Sequence, residues 1–310
     1  MQFNVRFITP LLIHGSDPSK VDQVGLTGKA LRGSWRFWFR ALAGGIRSNI
    51  PAAELYKFES QVFGSADTEW GNTFRLLVEP VGTPIPAPIT IQFSHSDVTF
   101  QGFKEGCEFV IEILPRKKFG DTELKVFLAS IWLWGNLGAV GQRARRGFGS
   151  PVIVEKNDQP FSSLDLPIAK SFASSQDLEN HLKKGLQQVW NIFSDALSVR
   201  GNPINGNPPP SKSPVHYFTL SSLDQIAIGG NRGSDVKLAL QDVHGIRLHD
   251  KLGSSPERLA SPLFLRLHMI GNNFYPVITW SEPNTDSANL ITDWISKKLS
   301  FKQYISGKQL

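Results

Sequence analysis

The stretch Leu26–Leu42, LTGKALRGSWRFWFRAL, admits few folded settings. Wound as a helix of 3.6 residues per turn, it puts Lys29, Arg32, Arg36 and Arg40 within roughly 80° of one another. Leu31, Trp35, Trp38, Phe39 and Leu42 fall on the opposite side. One face is therefore core and the other a row of four cations at i, i+3, i+7 and i+11. No carboxylate stands four residues from any of them, so nothing local to the helix neutralises the row. Gly33 lies beside the basic face, where a glycine costs a helix about 1 kcal/mol against alanine. Its presence makes sense if another backbone must come close. A solvated charged face is the plain alternative. A membrane-surface helix is disfavoured, because Trp35 and Trp38 are needed for a core.

A chain of 310 residues has length for two domains at roughly 100–200 residues each. With 40% hydrophobic and 19% charged residues it has the apolar material to fold both. The net charge of +6 is modest, so the local concentration of cations matters more than the total. The single cysteine, Cys107, excludes an internal disulfide and a cysteine-based zinc site, and fits a reducing compartment. The first residues, MQFNVRFITPLLI, lack the pattern of a secretory signal, and the apolar run Val126–Leu137 is too short to span a bilayer. A cytoplasmic protein with no membrane partner is expected.

Alternation of Phe3, Val5 and Phe7 predicts a strand at the start of the chain. Thr27 is placed to cap the basic helix, and Gly44-Gly45 to stop it near Leu42. A second helix is predicted over 51–63 with Pro51 in its first turn. Strands follow at Phe74–Val81, Ile89–Phe93 and Glu108–Leu114. Then come a helix from Thr122 to about Leu137 capped by Asp121, and a strand at Pro151–Glu155. That order is an α+β, ferredoxin-like βαββαβ unit with extra pieces. A boundary near 160 divides the chain into 1–160 and 161–310. The second part has a helix over 175–197, a flexible connection over 201–214 and a strand at Val215–Leu220. A mobile loop is read at Gly229–Gly233, a hairpin at Leu263–Ile270 and Phe274–Trp280, and a last helix over 288–299. Ser150-Pro151 and Ser261-Pro262 each lie a short spacer after an arginine and just before a strand, a faint echo of a duplicated module.

The other concentration of chemistry is Gly138-Ala-Val-Gly-Gln142-Arg143-Ala-Arg145-Arg146-Gly-Phe148-Gly-Ser150. Glycines allow positive φ and close backbone approach, arginines bring planar donors to phosphates, and Phe148 offers a face for stacking a base. The segment has neither G-x-G-x-x-G nor G-K-[ST], so it is not a dinucleotide fingerprint or a phosphate-binding P-loop. The seven histidines show no metal-ligand spacing, and no nucleophile elbow or paired-carboxylate signature occurs. We expect no metal, no cofactor and no catalytic residue. His14 and Asp17, in the first loop, form the one polar pair worth testing.

Three segments together, Thr9–Asp17, Leu26–Leu42 and Arg145–Ser150, resemble the RAMP proteins of type III CRISPR systems. Their order and spacing make the match specific over residues 1–155. The LRGSWRFWFRAL form is most similar to the family of first subunits of the Cmr (type III-B) complex. The resemblance implies two ferredoxin-like, RNA-recognition-motif-like domains in tandem. It implies a non-catalytic subunit that contacts guide CRISPR RNA, target RNA or both near the guide 3′ end, beside other Cmr subunits. The candidate RNA contacts are Lys29, Arg32, Gly33, Arg36, Arg40, Gln142, Arg143, Arg145, Arg146 and Phe148. Two alternatives come with the superfamily: a metal-dependent target-RNA nuclease using Asp17, and a guide-processing nuclease using His14. On the RNA-binding reading, the loop arginines and the helix cations Arg32 and Arg36 are expected to share one surface.

Overall fold

The computed structural model describes residues 1–15, 17, 20–22, 25–66, 71, 73–93, 96–116, 120–155, 159–198, 218–244, 261–281, 295–296 and 304–307. The chain opens with β1 (Gln2–Phe7), whose Phe3, Val5 and Phe7 are fully buried. Helix α1 (Gly28–Ile46) begins where expected, with the Thr27 hydroxyl accepting the Ala30 N–H at 3.2 Å. It does not end at the glycine pair. Gly44 and Gly45 are helical and buried, and the chain at Leu220 crosses the helix at Gly45, where a Cβ would lie 1.9 Å from the Leu220 carbonyl oxygen. Neither glycine stops the helix, and Gly45 serves a close approach.

Next come α2 (Ala52–Phe63), with Pro51 at its cap and not in its first turn, and β2 (Phe74–Pro80). A long hairpin follows: β3 (Pro86–Phe93) and β4 (Ser96–Phe103). Sequence reading shortened its first strand and missed its second, although Val98 and Phe100 alternate with Thr99 and Gln101 in SDVTFQGF. β5 (Glu108–Pro115) returns to the main sheet. α3 (Asp121–Leu137) starts at Asp121, with Gly120 as its cap, and is buried all round from Val126 to Leu137. β6 (Pro151–Glu155) completes an antiparallel sheet of order β2-β5-β1-β6. With α1 and α2 after the first strand and α3 before the last, this is the expected βαββαβ order, the β3–β4 hairpin being an insertion.

α4 (Ser175–Ala196) packs Leu178, Leu182, Leu186, Val189 and Phe193 into the same core. Gly185 rests on Trp132, where a Cβ would lie 1.9 Å from the ring. A second, three-stranded sheet follows, of order β7-β9-β8, from β7 (Ile226–Ile228), α5 (Val236–His244), β8 (Leu263–Ile270) and β9 (Asn273–Trp280). The β8–β9 hairpin agrees with the sequence reading, whereas α5 was not foreseen. Phe218–Leu220 is not a strand; it crosses α1, where the Leu220 N–H donates to the Ala41 carbonyl at 2.9 Å. The Gly229–Gly233 loop is not loose, since backbone bonds at Gly229, Arg232 and Gly233 tie it to Pro276 and Phe274 of β9. The expected connection over 201–214, and residues 288–294 and 297–299 of the expected last helix, lie outside the described residues.

Candidate nucleic-acid interface

The glycine-rich segment leaves α3 at Gly138 and is stitched down on both sides. Toward the first strand, the Gln142 N–H donates to Leu12 O at 2.7 Å and the Gly149 N–H to Pro10 O at 2.9 Å. The buried Thr9 hydroxyl donates to Gly147 O at 2.7 Å and accepts from the Ser150 N–H at 2.9 Å. Toward the second sheet, the Gly147 N–H donates to Leu265 O at 2.9 Å, and the Leu267 N–H to the Ser150 hydroxyl at 3.2 Å. The loop is thus pinned between β1 and β8. Gly149 is left-handed at φ 61°, and a Cβ there would lie 2.0 Å from Val140 O, so no larger residue fits. Arg143 holds φ 59° without being glycine, a strained position of the kind that collects at functional sites.

This frame sets each arginine. Arg143 lies over the ring of Phe100, on β4, with its guanidinium carbon 4.6 Å from the centroid. Arg145 lies over Phe37 at 5.3 Å and Phe264 at 5.9 Å and donates to Ser261 O. Burial lowers its pKa from the ordinary arginine value. Gln142 is exposed. Arg143, Arg145 and Arg146 line a groove of about 440 Å³. Gly33, Ser34 and Phe37 of α1 line it as well, together with the buried apolar residues Trp38, Ala139, Val140 and Phe264.

Phe148 does not line that groove. It is fully buried, 5.7 Å from Phe100 edge to face, in the cluster under the second sheet. The expectation of a stacking face there is corrected: with glycines on both sides turning the chain inward, the ring becomes core.

The helix cations divide as well. Gly33 borders the groove and Lys29 is exposed, whereas Arg32, Arg36 and Arg40 are not among the groove's lining residues and turn toward α2 and β2. Arg32 donates to Phe74 O at 2.6 Å and lies over the Phe74 ring at 4.5 Å. Burial lowers its pKa, with the charges of Arg36 and Arg116 adding to the effect. Arg36 donates to Gly64 O, and its Nε stands 3.5 Å from Glu59. Arg40 pairs with the same carboxylate at 2.8 Å. Burial raises the Glu59 pKa despite both arginines. The row is therefore not free of carboxylates; its partner arrives from a neighbouring helix. Of the helix residues singled out, Gly33 alone lines the groove with the loop arginines, while Arg32 and Arg36 are engaged by Phe74, Gly64 and Glu59.

Asp17 forms an exposed pair with Lys20 at 3.4 Å, and His14 bridges to Val21 through the backbone. Among the described residues no three His, Cys, Asp or Glu side chains stand together as a metal site would require. No described helix is long and apolar enough to cross a membrane.

Sequence reading missed a buried polar cluster at the end of α3. Arg266, fully buried on β8, donates to Gly135 O and, at 2.7 Å, to Pro151 O. His268 shares a hydrogen with Asn136 O at 2.8 Å, and His181 with the Asn136 side-chain oxygen at 2.8 Å. Two side chains of the second sheet thus satisfy the last carbonyls of α3, where the helix dipole favours a cation. Burial lowers the Arg266 pKa to about 9. The sequence signal was slight: an arginine and a histidine two positions apart in the otherwise apolar run LFLRLHMI.

A profile of the RAMP superfamily matches residues 4–153, a span that carries β1, the basic helix and the arginine loop in one register. The matched residues belong to the RAMP superfamily. Among characterised RAMP relatives, it is 28% identical to the CRISPR system Cmr subunit Cmr1-1 of Pyrococcus furiosus over 218 residues, 66% of this chain and 60% of that protein. It is 27% identical to Cmr1-2 of the same organism over 182 residues, 48% of this chain and 91% of that protein. The chain thus spans about 60% of the length of Cmr1-1. The fold of this RAMP protein is similar to that of the crystal structure of apo Cmr1 from Pyrococcus furiosus, with a TM-score of 0.60, 20% identity, and 92% of this chain and 88% of that one covered. It is also similar to a chain in the cryo-EM structure of the Type III-B Cmr-beta complex bound to cognate target RNA, with a TM-score of 0.64, 14% identity, and 96% and 99% covered.

Proposed function

We propose that this RAMP protein is a non-catalytic, RNA-binding subunit of a cytoplasmic type III-B (Cmr) CRISPR effector complex. It contacts guide or target RNA near the guide 3′ end, beside other Cmr subunits. The observation that carries the reading is the groove between Gly33–Phe37 and Arg143–Arg146, which cations line together with buried apolar residues. Cations alone suit any polyanion; cations beside apolar residues suit a polyanion with exposed flat rings, which single-stranded RNA is. Similarity to Cmr1 subunits supports the complex and the partners.

Two RNA-recognition-motif-like units in tandem, 1–160 and 161–310, belong to the same proposal. The second sheet with α5 is the visible part of the second unit, and α4 is its contribution to the first unit's core.

The test is the salt dependence of RNA binding by the whole chain. Removing one cation that touches a phosphate should flatten the plot of log K against log salt by about 0.7 for single-stranded RNA. Arg143→Ala with Arg146→Ala should weaken binding at low salt and lower the slope by about twice that. Arg145 is better changed separately, since it also holds Ser261. An unchanged slope would refute phosphate binding by the loop. In the assembled complex, Asp17→Ala should leave target cleavage intact; loss of one cleavage product with RNA binding preserved would make the protein a nuclease.

A further inference from the structure

The main sheet has a second face. Phe3, Val5 and Phe7 of β1 and Phe109, Ile111 and Ile113 of β5 are buried in the core shared with the helices. Alternation turns Gln2, Asn4, Arg6, Glu108, Val110 and Glu112 of these two middle strands to the other side. Four-stranded sheets that bind RNA on such a face stack its bases on aromatic side chains. Here the six positions hold no ring, and two of them are carboxylates, which repel phosphates.

The register gathers three carboxylates around one aliphatic side chain. Val110 has Glu108 and Glu112 on either side of it along β5, Glu79 of β2 opposite on one flank and Asn4 of β1 opposite on the other. Val110 is half-buried and belongs to neither hydrophobic cluster of the described residues. Asn4 is fully buried. Its Nδ2 donates to Glu108 Oε1, which leaves Asn4 Oδ1 a buried acceptor with no donor among the described residues. None of the three carboxylates forms an ion pair with a described residue, although Arg6 stands opposite Glu108 in the register. Nor do they make up a group that could hold a metal ion. Every unfilled group here is an acceptor, so the missing partner is a donor. Because the acceptors surround an apolar spot, a long side chain with an apolar stem and a cationic head fits them.

We propose that this face docks a protein, and that the occupant presents a lysine or arginine whose stem lies on Val110 and whose head lies among Glu79, Glu108 and Glu112. Asn4 Oδ1 is the acceptor beneath that head. Resting on the reading of the chain as a subunit of a Cmr complex, the occupant is a basic segment of a neighbouring subunit. RNA and protein then meet the molecule on surfaces of opposite charge.

The experiment measures assembly of the whole chain with the remaining Cmr subunits, and RNA binding by the chain alone. Glu79→Lys with Glu112→Lys should weaken assembly by at least about 10-fold, since like charges then face each other, while RNA affinity does not fall. Val110→Lys is an independent variant: its own ammonium fills the ring of carboxylates, so it should weaken assembly without lowering the melting temperature. Thermal melts check that both variants fold. Wild-type assembly should also weaken as salt rises. If the folded variants assemble as wild type does, docking at this face is refuted while the Cmr reading stands. If wild type does not assemble with Cmr subunits at all, that reading falls and this occupant with it. If the variants lose RNA affinity and keep assembly, the face is a nucleic-acid surface and the inference is overturned.

Discussion

Arg266, on the second sheet, donates through its guanidinium to the carbonyl of Gly135 in the last turn of α3, 131 residues earlier in the chain. The same group reaches Pro151 O at the head of β6, so one buried side chain joins the end of a helix, the start of a strand and the other sheet. Arg266→Met would leave both carbonyls without a donor in a closed interior. We expect a loss of about 2–4 kcal/mol, since orphaned buried acceptors cost more than the relief of an unburied charge returns. Urea unfolding should show a lower midpoint with an unchanged slope; no change would mean that water replaces the guanidinium.

The neighbouring histidines set an acid limit. Burial, with the Arg266 charge adding to it, holds His181 down at about 4 and lowers His268 as well. A histidine whose folded pKa lies below its unfolded value gives stability that is complete above the unfolded value of about 6.5. That stability is lost as pH falls toward the folded value. Between pH 7 and pH 5, His181 alone should cost about 2 kcal/mol. Chemical unfolding at the two pH values checks this, and His181→Gln should flatten the difference.

Two glycines of α1 should respond with opposite signs. Gly33→Ala adds a methyl to open space and should stabilise the fold by up to about 1 kcal/mol. Gly45→Ala drives a methyl into the Leu220 carbonyl and should cost about 3 kcal/mol or more, because backbone cannot rotate away. Thermal melts of the two variants, compared with wild type, decide it.

Phe148→Ala should destabilise the protein by about 3–5 kcal/mol as a core truncation, and the Phe148→Leu protein should keep the wild-type salt slope for RNA. A folded Phe148→Leu protein with weaker RNA binding than wild type would return this ring to the binding surface.

The main sheet was legible because its strands and helices carry their own periods: alternation in β1 and β5, the two-faced pattern of α1, the apolar run of α3. The arginine loop was legible for its residue types. What was not legible is who meets whom. Glu59 neutralises Arg36 and Arg40 from another helix, and no spacing rule within α1 foretells a partner nineteen residues beyond Arg40. Phe148 looked like a stacking face because its partner, Phe100, sits on β4, which sequence reading missed. Gly44-Gly45 looked like a stop because a helix-ending glycine and a close-packed one are spelled alike; only Leu220, 175 positions from Gly45, tells them apart.

The stitching of the arginine loop to β8 has a consequence for how the protein is made. As the chain leaves the ribosome from its N-terminus, all the groove's arginines are synthesised before Leu263. The backbone of Leu265 and the side chain of Arg266, which fix the loop and the end of α3, emerge more than a hundred residues later. A nascent or truncated chain therefore carries the cations without the whole frame that aims them. The bonds from Thr9, Pro10 and Leu12 can form early, but those from β8 cannot, so the loop reaches its final setting only after β8 has emerged.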